Sequence, residues 1–251
     1  MKDKVILVTG GSRGIGLAIA KAFGEQKCKV IINFRSDQQQ AQKALAELQS
    51  HSHSAIAIQA DVSDKPERER LVKEILEHFG RIDVLINNAA VTTRYGFLKT
   101  TEEEFDRIYN CNLKAPIFLA KIVAEQMIKQ GDGGSIINIS SVAGHIPMGI
   151  NYGGSKAALL METKNMAAKL GPYNIRVNSI SPGTTKTDLN RRNWEGNPER
   201  WKSHTDNIAL QRGADPSEIA GAAVYLASEK ASYTTGTDIL VDGGWLSTRK
   251  P

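Results

Sequence analysis

Lys4-Val5-Ile6-Leu7-Val8-Thr9-Gly10-Gly11-Ser12-Arg13-Gly14-Ile15-Gly16 is an apolar run that breaks into a glycine-rich loop. The stretch Leu17 to Gln26 follows and has the composition of a helix. Glycines alone mark a turn, since turns need them for steric reasons. A strand before and a helix after give them a second use: Gly10, Gly14 and Gly16 let the backbone approach a pyrophosphate at the positive end of the helix. That is the context a dinucleotide site requires.

Working outward, further short apolar runs read as strands: Lys29 to Phe34, Ala55 to Gln59, Val84 to Asn87, Ser135 to Ile139, Arg176 to Ile180 and Asp238 to Val241. Helical patterns separate them at Gln38 to Ser50, Pro66 to Phe79, Ala157 to Leu170 and Pro216 to Ala227. Thr101 to Gln130 holds one or two helices, interrupted near Pro116. Strands that are apolar throughout and alternate with helices predict an α/β fold, a doubly wound parallel sheet covered by helices on both faces. No repeat or linker divides the chain, so residues 1–251 are expected to form a single domain.

The 251 residues, 41% hydrophobic and 24% charged, are of ordinary globular composition and enough for a well-buried core. The net charge of +5 is spread without a basic block, which argues against nucleic acid and suits a phosphorylated cofactor or anionic substrate. No apolar run reaches the length of a membrane span, and Met1-Lys2-Asp3-Lys4 carries no signal pattern, so a cytoplasmic protein is expected. Cys28 and Cys111 lack metal-ligand spacing and read as buried thiols; no metal is implied.

Tyr152-Gly153-Gly154-Ser155-Lys156 places a phenol and an ammonium one helical turn apart. An ammonium there favours the phenolate and makes Tyr152 a candidate proton donor and acceptor for an alcohol or carbonyl. As an isolated pair, the two read as a chance surface pair. With Thr9-Gly10-x-x-x-Gly14-x-Gly16, Asn87-Asn88-Ala89-Ala90, Ser140-Ser141 and Pro182-Gly183, the chain resembles the short-chain dehydrogenase/reductase family over essentially its whole length and in the family's order. The resemblance implies a Rossmann-like fold and a catalytic set of Asn112, Ser141, Tyr152 and Lys156. In it, Ser141 bonds the substrate oxygen, Tyr152 transfers its proton, Lys156 holds the nicotinamide ribose and Asn112 supports a water. Three departures stand out. Ala90 replaces a glycine, Thr185 replaces an aliphatic residue, and the Ser141 to Tyr152 gap is about two residues short, which leaves Ser140 as an alternative to Ser141.

The resemblance further implies that a nicotinamide dinucleotide touches Gly10, Ser12, Gly14, Ile15 and Gly16 in the first loop. Asp61 and Val62 would meet the adenine, and Asn88, Ala89, Tyr152 and Lys156 the middle of the cofactor. Pro182, Gly183, Thr185 and Thr187 would line the nicotinamide end. Strand two ends in Asn33-Phe34-Arg35-Ser36 rather than in an acidic residue, and Asp37 comes later. Arg35, with Ser36 beside it, and Arg13 in the glycine loop suit a 2′-phosphate, so NADP(H) is expected, with NAD(H) possible.

Residues 187–212 are expected to form a substrate lid. Their Arg191, Arg192, Trp194, Arg200, Trp201, Lys202 and His204 either grip a polar or anionic small molecule or form a solvated helix pair with tryptophans as packing. His145 either reaches a substrate hydroxyl or faces solvent. Asn33-Phe34-Arg35-Ser36, His145-Ile146-Pro147, Pro216-Ser217-Glu218-Ile219-Ala220 and Ala231-Ser232-Tyr233-Thr234-Thr235-Gly236 resemble bacterial glucose 1-dehydrogenases. The rival is a 3-oxoacyl-carrier-protein reductase, against which Pro172-Tyr173-Asn174 stands where such reductases carry a basic residue. A non-catalytic cofactor-binding regulator is the reading from another class, because fold does not fix function. The resemblance also implies a homotetramer built on the Tyr152 helix and the long helix before it.

Overall fold

Seven parallel strands form one sheet in the order β3-β2-β1-β4-β5-β6-β7. They are β1 (Val5–Val8), β2 (Lys29–Phe34), β3 (Ala55–Gln59), β4 (Val84–Asn87), β5 (Gly134–Ile139), β6 (Ile175–Pro182) and β7 (Asp238–Val241). The computed structural model describes residues 1–50, 54–188 and 191–248. Residues 189 and 190 of the expected lid, and the side chains of Arg192 and Arg200, lie outside the described residues.

Because successive strand side chains point to opposite faces, each strand feeds two cores. Val5 and Leu7 join the layer built on α3 (Lys65–Phe79) and α5 (Ala115–Gln130), through Leu71, Ile75, Leu119 and Val123. Ile6 and Val8 join the other, with Ile19 and Phe23 of α1 (Gly14–Glu25), Ala44 and Leu48 of α2 (Gln38–Gln49), and Ile219 and Ala223 of α9 (Pro216–Ala227). The expected doubly wound parallel sheet, helices on both faces and single domain are therefore found. Local chemistry sets several helix ends. Asp64 caps α3 through the Glu67 amide and Gly80 closes it in the left-handed region at φ 71°. Asp215 and Glu218 form a reciprocal capping box on α9.

Two elements differ from their expected bounds. The first helix starts at Gly14, inside the glycine loop, three residues before the expected Leu17. The stretch 101–130 continues from α4 (Glu102–Tyr109) into α5 through one π-helical turn, Asn110–Lys114. Pro116 has no amide hydrogen to donate into that turn, which is a physical reason for the wider ladder there. The expected interruption near Pro116 is thus a change of helical pitch.

The strand order reverses between β1 and β4, and their C-terminal ends open a crevice there. One hydroxyl joins its two lips. Thr9 Oγ1 donates to Ile86 O (3.3 Å) and accepts from the amides of Asn88 (2.9 Å) and Ala89 (3.0 Å). Asn88 Nδ2 donates back to Thr9 O (2.9 Å) and Gly10 O (3.1 Å). Gly16 packs directly beneath, where a Cβ would meet Asn88 Nδ2 at 2.5 Å and also strike Gly10 O. Thr9→Val keeps the shape and leaves two inward amides without an acceptor. It should lower unfolding free energy by about 2 kcal/mol, whereas Thr9→Ser stays near wild type, as read by chemical denaturation.

Candidate active site

A cleft of about 1020 Å³ runs along the C-terminal ends of the strands. Gly10, Ser12, Arg13, Gly14, Ile15 and Gly16 form its floor at β1, and Arg35, Ser36, Asp61 and Val62 its far end. Asn88 and Ala89 follow β4; Ser141, Tyr152 and Lys156 stand along the wall; Pro182, Gly183, Thr185 and Thr187 follow β6. Of the expected site residues, all but Asn112 meet in this one cleft. The floor fits a pyrophosphate. Gly10 and Gly14 hold φ of 61° and 56°, and Arg13 gives α1 no side-chain cap, so the helix offers its positive end to an anion. Arg13 on the floor and Arg35 at the far end are both exposed, while Asp37 caps α2 by accepting from Gln40 N at 3.0 Å.

The Tyr152 wall is built from α6 (Tyr152–Leu170) and the turn after β5. Ser140 faces inward, donating to Lys156 O at 3.1 Å, while Ser141 Oγ accepts from Ala143 N at 3.1 Å and is near enough to Tyr152 to act on its phenol. Of the two serines, Ser141 is the one that acts on the phenol. Lys156 is buried, donates from Nζ to Ile139 O at 2.8 Å, and lies 5.8 Å from the Tyr152 ring centre. Burial pushes its pKa down to about 8, partly opposed by Cys111. Burial also raises the Tyr152 phenol, against the lowering effect of its Ser141 hydrogen bond. The spacing argument expected the ammonium to lower the phenol. In the protein alone desolvation of the phenolate is the larger effect, and what opposes it is Ser141.

Asn112 is buried behind this wall. Its Oδ1 accepts from Val91 N (2.9 Å), and its Nδ2 donates to Val91 O (2.9 Å) and Ser155 Oγ (3.2 Å). Its side chain thus clamps the loop after β4 to α6. Thr185 is buried and bridges to Ala214 beside the cleft. His145 neither faces the cleft nor stands free in solvent: Nε2 lies 2.9 Å from Asp238 Oδ2 and 3.3 Å from Ser181 Oγ, tying the loop to β7. Cys28 is buried and pushed up to about 11 by desolvation, whereas Cys111 lines the cleft from the π-turn.

The expected lid contributes α7 (Arg191–Trp194) and α8 (Pro198–Thr205). Trp201 and His204 of α8 line the cleft together with Trp245, which opens α10 (Trp245–Thr248). The His204 ring meets Trp245 edge-on at 5.1 Å, and its Nε2 lies 2.6 Å from Thr184 Oγ1. Trp201 seats against Gly213, where a Cβ would meet its ring at 2.5 Å. Trp194 packs instead on the lid itself, donating to Thr187 O at 3.3 Å. Sequence reasoning missed Trp245, which lies far beyond the lid helices in the chain and carries no local motif. Among the described residues no helix is long and apolar enough to cross a membrane, and no acidic, His or Cys cluster could hold a metal.

A family model described as enoyl-(acyl carrier protein) reductase matches residues 10–246. L-rhamnose 1-dehydrogenase (NAD(P)(+)) of Azotobacter vinelandii is 37% identical over 247 residues, covering 96% of each chain. Glucose 1-dehydrogenase 2 of Bacillus subtilis is 35% identical, covering 97% of this chain and 95% of that one. A short-chain type dehydrogenase/reductase from Mycobacterium marinum superposes with a TM-score of 0.90 at 34% identity, over 97% of this chain and 96% of that one. The chain belongs to the short-chain dehydrogenase/reductase family. It is an oxidoreductase, and its cofactor class is the nicotinamide dinucleotides.

In this short-chain dehydrogenase/reductase the buried lysine makes a thermodynamic statement. The folded value near 8 lies below the ordinary 10.5, so the native state loses its proton first. Between those values the unfolded chain binds more protons, and stability rises with pH across the window. Compared with Lys156→Met, the wild type should gain up to about 3 kcal/mol between pH 8 and 10.5. Denaturation of both proteins at several pH values checks this; a constant difference contradicts it.

Proposed function

We propose that the protein interconverts a secondary alcohol, of sugar or polyol type, and its carbonyl, using NADP(H) in preference to NAD(H). The observation that carries the reading is the meeting of Ser141, Tyr152 and Lys156 on one wall of the dinucleotide-shaped cleft. A bound nicotinamide dinucleotide supplies the hydride acceptor or donor. The remaining work belongs to the chain. Ser141 Oγ holds the substrate oxygen beside Tyr152, and Tyr152 Oη takes the alcohol proton or returns it to the carbonyl. Lys156, fixed on Ile139 O, places a positive charge beside the phenolate and toward the cofactor ribose. Asn112 keeps the loop after β4 in register with α6 and supports the path of a proton to solvent.

Arg13 and Arg35, exposed where the adenosine ribose would lie, favour a 2′-phosphate; Asp37, engaged as a helix cap, offers little repulsion. The rings of Trp201 and Trp245, with the His204 ring 6.3 Å from the first and 5.1 Å from the second, suit the flat C–H face and hydroxyls of a cyclic sugar. Residues 187–212 would close over it as a lid. The names of the rhamnose and glucose dehydrogenase relatives point to the same substrate class. Phe105, Phe118 and Met161, exposed on α4, α5 and α6, support a homotetramer formed through those helices, for which light scattering gives the mass.

The test is nicotinamide reduction with aldoses such as rhamnose and glucose. Turnover should be faster with NADP⁺ than with NAD⁺. Tyr152→Phe should lower kcat by a factor on the order of 10²–10⁴ while still binding cofactor. Arg35→Ala should raise KM for NADP⁺ about tenfold and leave NAD⁺ nearly unchanged. Normal turnover by Tyr152→Phe would overturn the mechanism. Cofactor binding without sugar oxidation would move the substrate to a ketone or acyl thioester.

A further inference from the structure

Asn151, the residue before Tyr152, holds φ 62° and ψ −45°. The amide of Tyr152 donates to Ile150 O at 2.7 Å, closing a three-residue turn over Asn151. This is the γ-turn of positive φ, a rare and strained conformation, here at a residue with a Cβ. Strain of this kind persists only when its surroundings over-determine it. Two anchors do so here, both from the loop after β4. Asn151 Nδ2 donates to Thr100 Oγ1 at 2.9 Å, and Thr93 Oγ1 donates to Ile150 O. That loop is itself fixed to α4 and the π-turn. Arg107 donates to Thr92 O at 2.7 Å, Arg94 N donates to Glu104 Oε1 at 2.8 Å, and Asn112 grips Val91 on both sides.

The turn also substitutes for a helix cap. Asn151 gives α6 no side-chain cap; the first amides instead donate to the loop carbonyls, Tyr152 to Ile150 and Gly153 to Gly149 (2.9 Å). Gly153 allows this close approach, since a Cβ there would meet Met148 O at 2.7 Å. A helix whose first residue carries the reactive phenol therefore starts at a point dictated by a strained turn. That turn is held by a loop whose other face, at Val91 and Thr92, lines the cleft.

We infer that Asn151, anchored on Thr100, is a positioning residue that sets Tyr152 in register with Ser141 and couples it to the cleft-lining loop after β4. The residue of positive φ at the turn is not itself a glycine, so the anchor rather than backbone freedom keeps the conformation. The inference rests on the reading of Tyr152 as the proton-transferring group. The groups facing that phenol are Ser141 from the turn after β5 and Lys156 from its own helix, with Cys111 on the π-turn acting on Lys156.

The deciding experiment uses full-length protein labelled with ¹³C at tyrosine Cζ, at neutral pH. The Tyr152 line is assigned with Tyr152→Phe, and Ser141→Ala shows how far loss of the serine hydrogen bond moves it. Asn151→Ala and Thr100→Val should each move the line in the same direction as Ser141→Ala, and Thr100→Ser should return it to the wild-type position. Asn151→Gly, which relaxes the backbone but loses the anchor, should behave like Asn151→Ala and serves where that variant fails to fold. In the sugar assay the same anchor variants should lower kcat about tenfold with the cofactor KM unchanged, the signature of misplaced chemistry rather than lost binding. A Tyr152 line at the wild-type position in Asn151→Ala, Asn151→Gly and Thr100→Val overturns the inference, as does one that Ser141→Ala itself leaves in place. The spectral result holds whether or not a sugar is turned over, so failure of the substrate assignment is read separately.

Discussion

The loops that follow β1 and β4 share the hydroxyl of Thr9, and the cleft depends on that sharing. Parallel strands end with their amides and carbonyls pointing into the crevice where strand order reverses, and those groups need partners. Thr9 and Asn88 satisfy them reciprocally, drawing the glycine loop against the loop after β4. Gly16 is small because Asn88 and Gly10 occupy the space its side chain would need. The result is a preformed floor, with the positive end of α1 open on one side and the loop carrying Val91 and Thr92 on the other.

From that loop the chain of constraint runs to the chemistry. Asn112, Arg107 and Glu104 hold it from α4 and the π-turn, and Thr93 and Thr100 hold the turn before Tyr152. A second, buried set fixes α6 to the sheet. Asn87 donates to Asn138 Oδ1 (2.9 Å), Asn138 donates to Thr163 Oγ1 (2.9 Å), and Lys156 donates to Ile139 O. Buried polar groups of this kind are costly unless every member is satisfied, and here they specify one placement of the helix. Tyr152, Ser141 and Lys156 meet because both sets agree.

The sheet was legible because its central strands, Val5–Val8 and Val84–Asn87 among them, are buried on both faces and read as apolar runs, whereas the edge strands Ala55–Gln59 and Asp238–Val241 are only partly buried. The wall residues were legible as spaced motifs. Features set by tertiary context were not. Gly14 is a poor helix former, yet α1 begins there because the fold needs its amides at the crevice. The π-turn at Asn110–Lys114 carries only Pro116 as a hint, and Asn151 gives no sign that it will bear a positive φ. The Tyr152–Lys156 spacing fixed proximity but carried no information on desolvation, so the direction of the phenol shift came out reversed. Trp245 reaches the cleft through packing with Val142 and Ile208, which no local pattern encodes.

The most direct measurement is a crystal structure of the protein with NADP⁺ and an aldose that it binds. The expected result is a cofactor lying along the glycine loop, with the sugar between it and Trp201, and one carbinol oxygen within hydrogen-bonding distance of both Tyr152 Oη and Ser141 Oγ. A carbinol oxygen held away from Tyr152, or a cofactor that bypasses the floor formed by Gly10, Gly14 and Gly16, would contradict the assignment of that wall as the reacting centre.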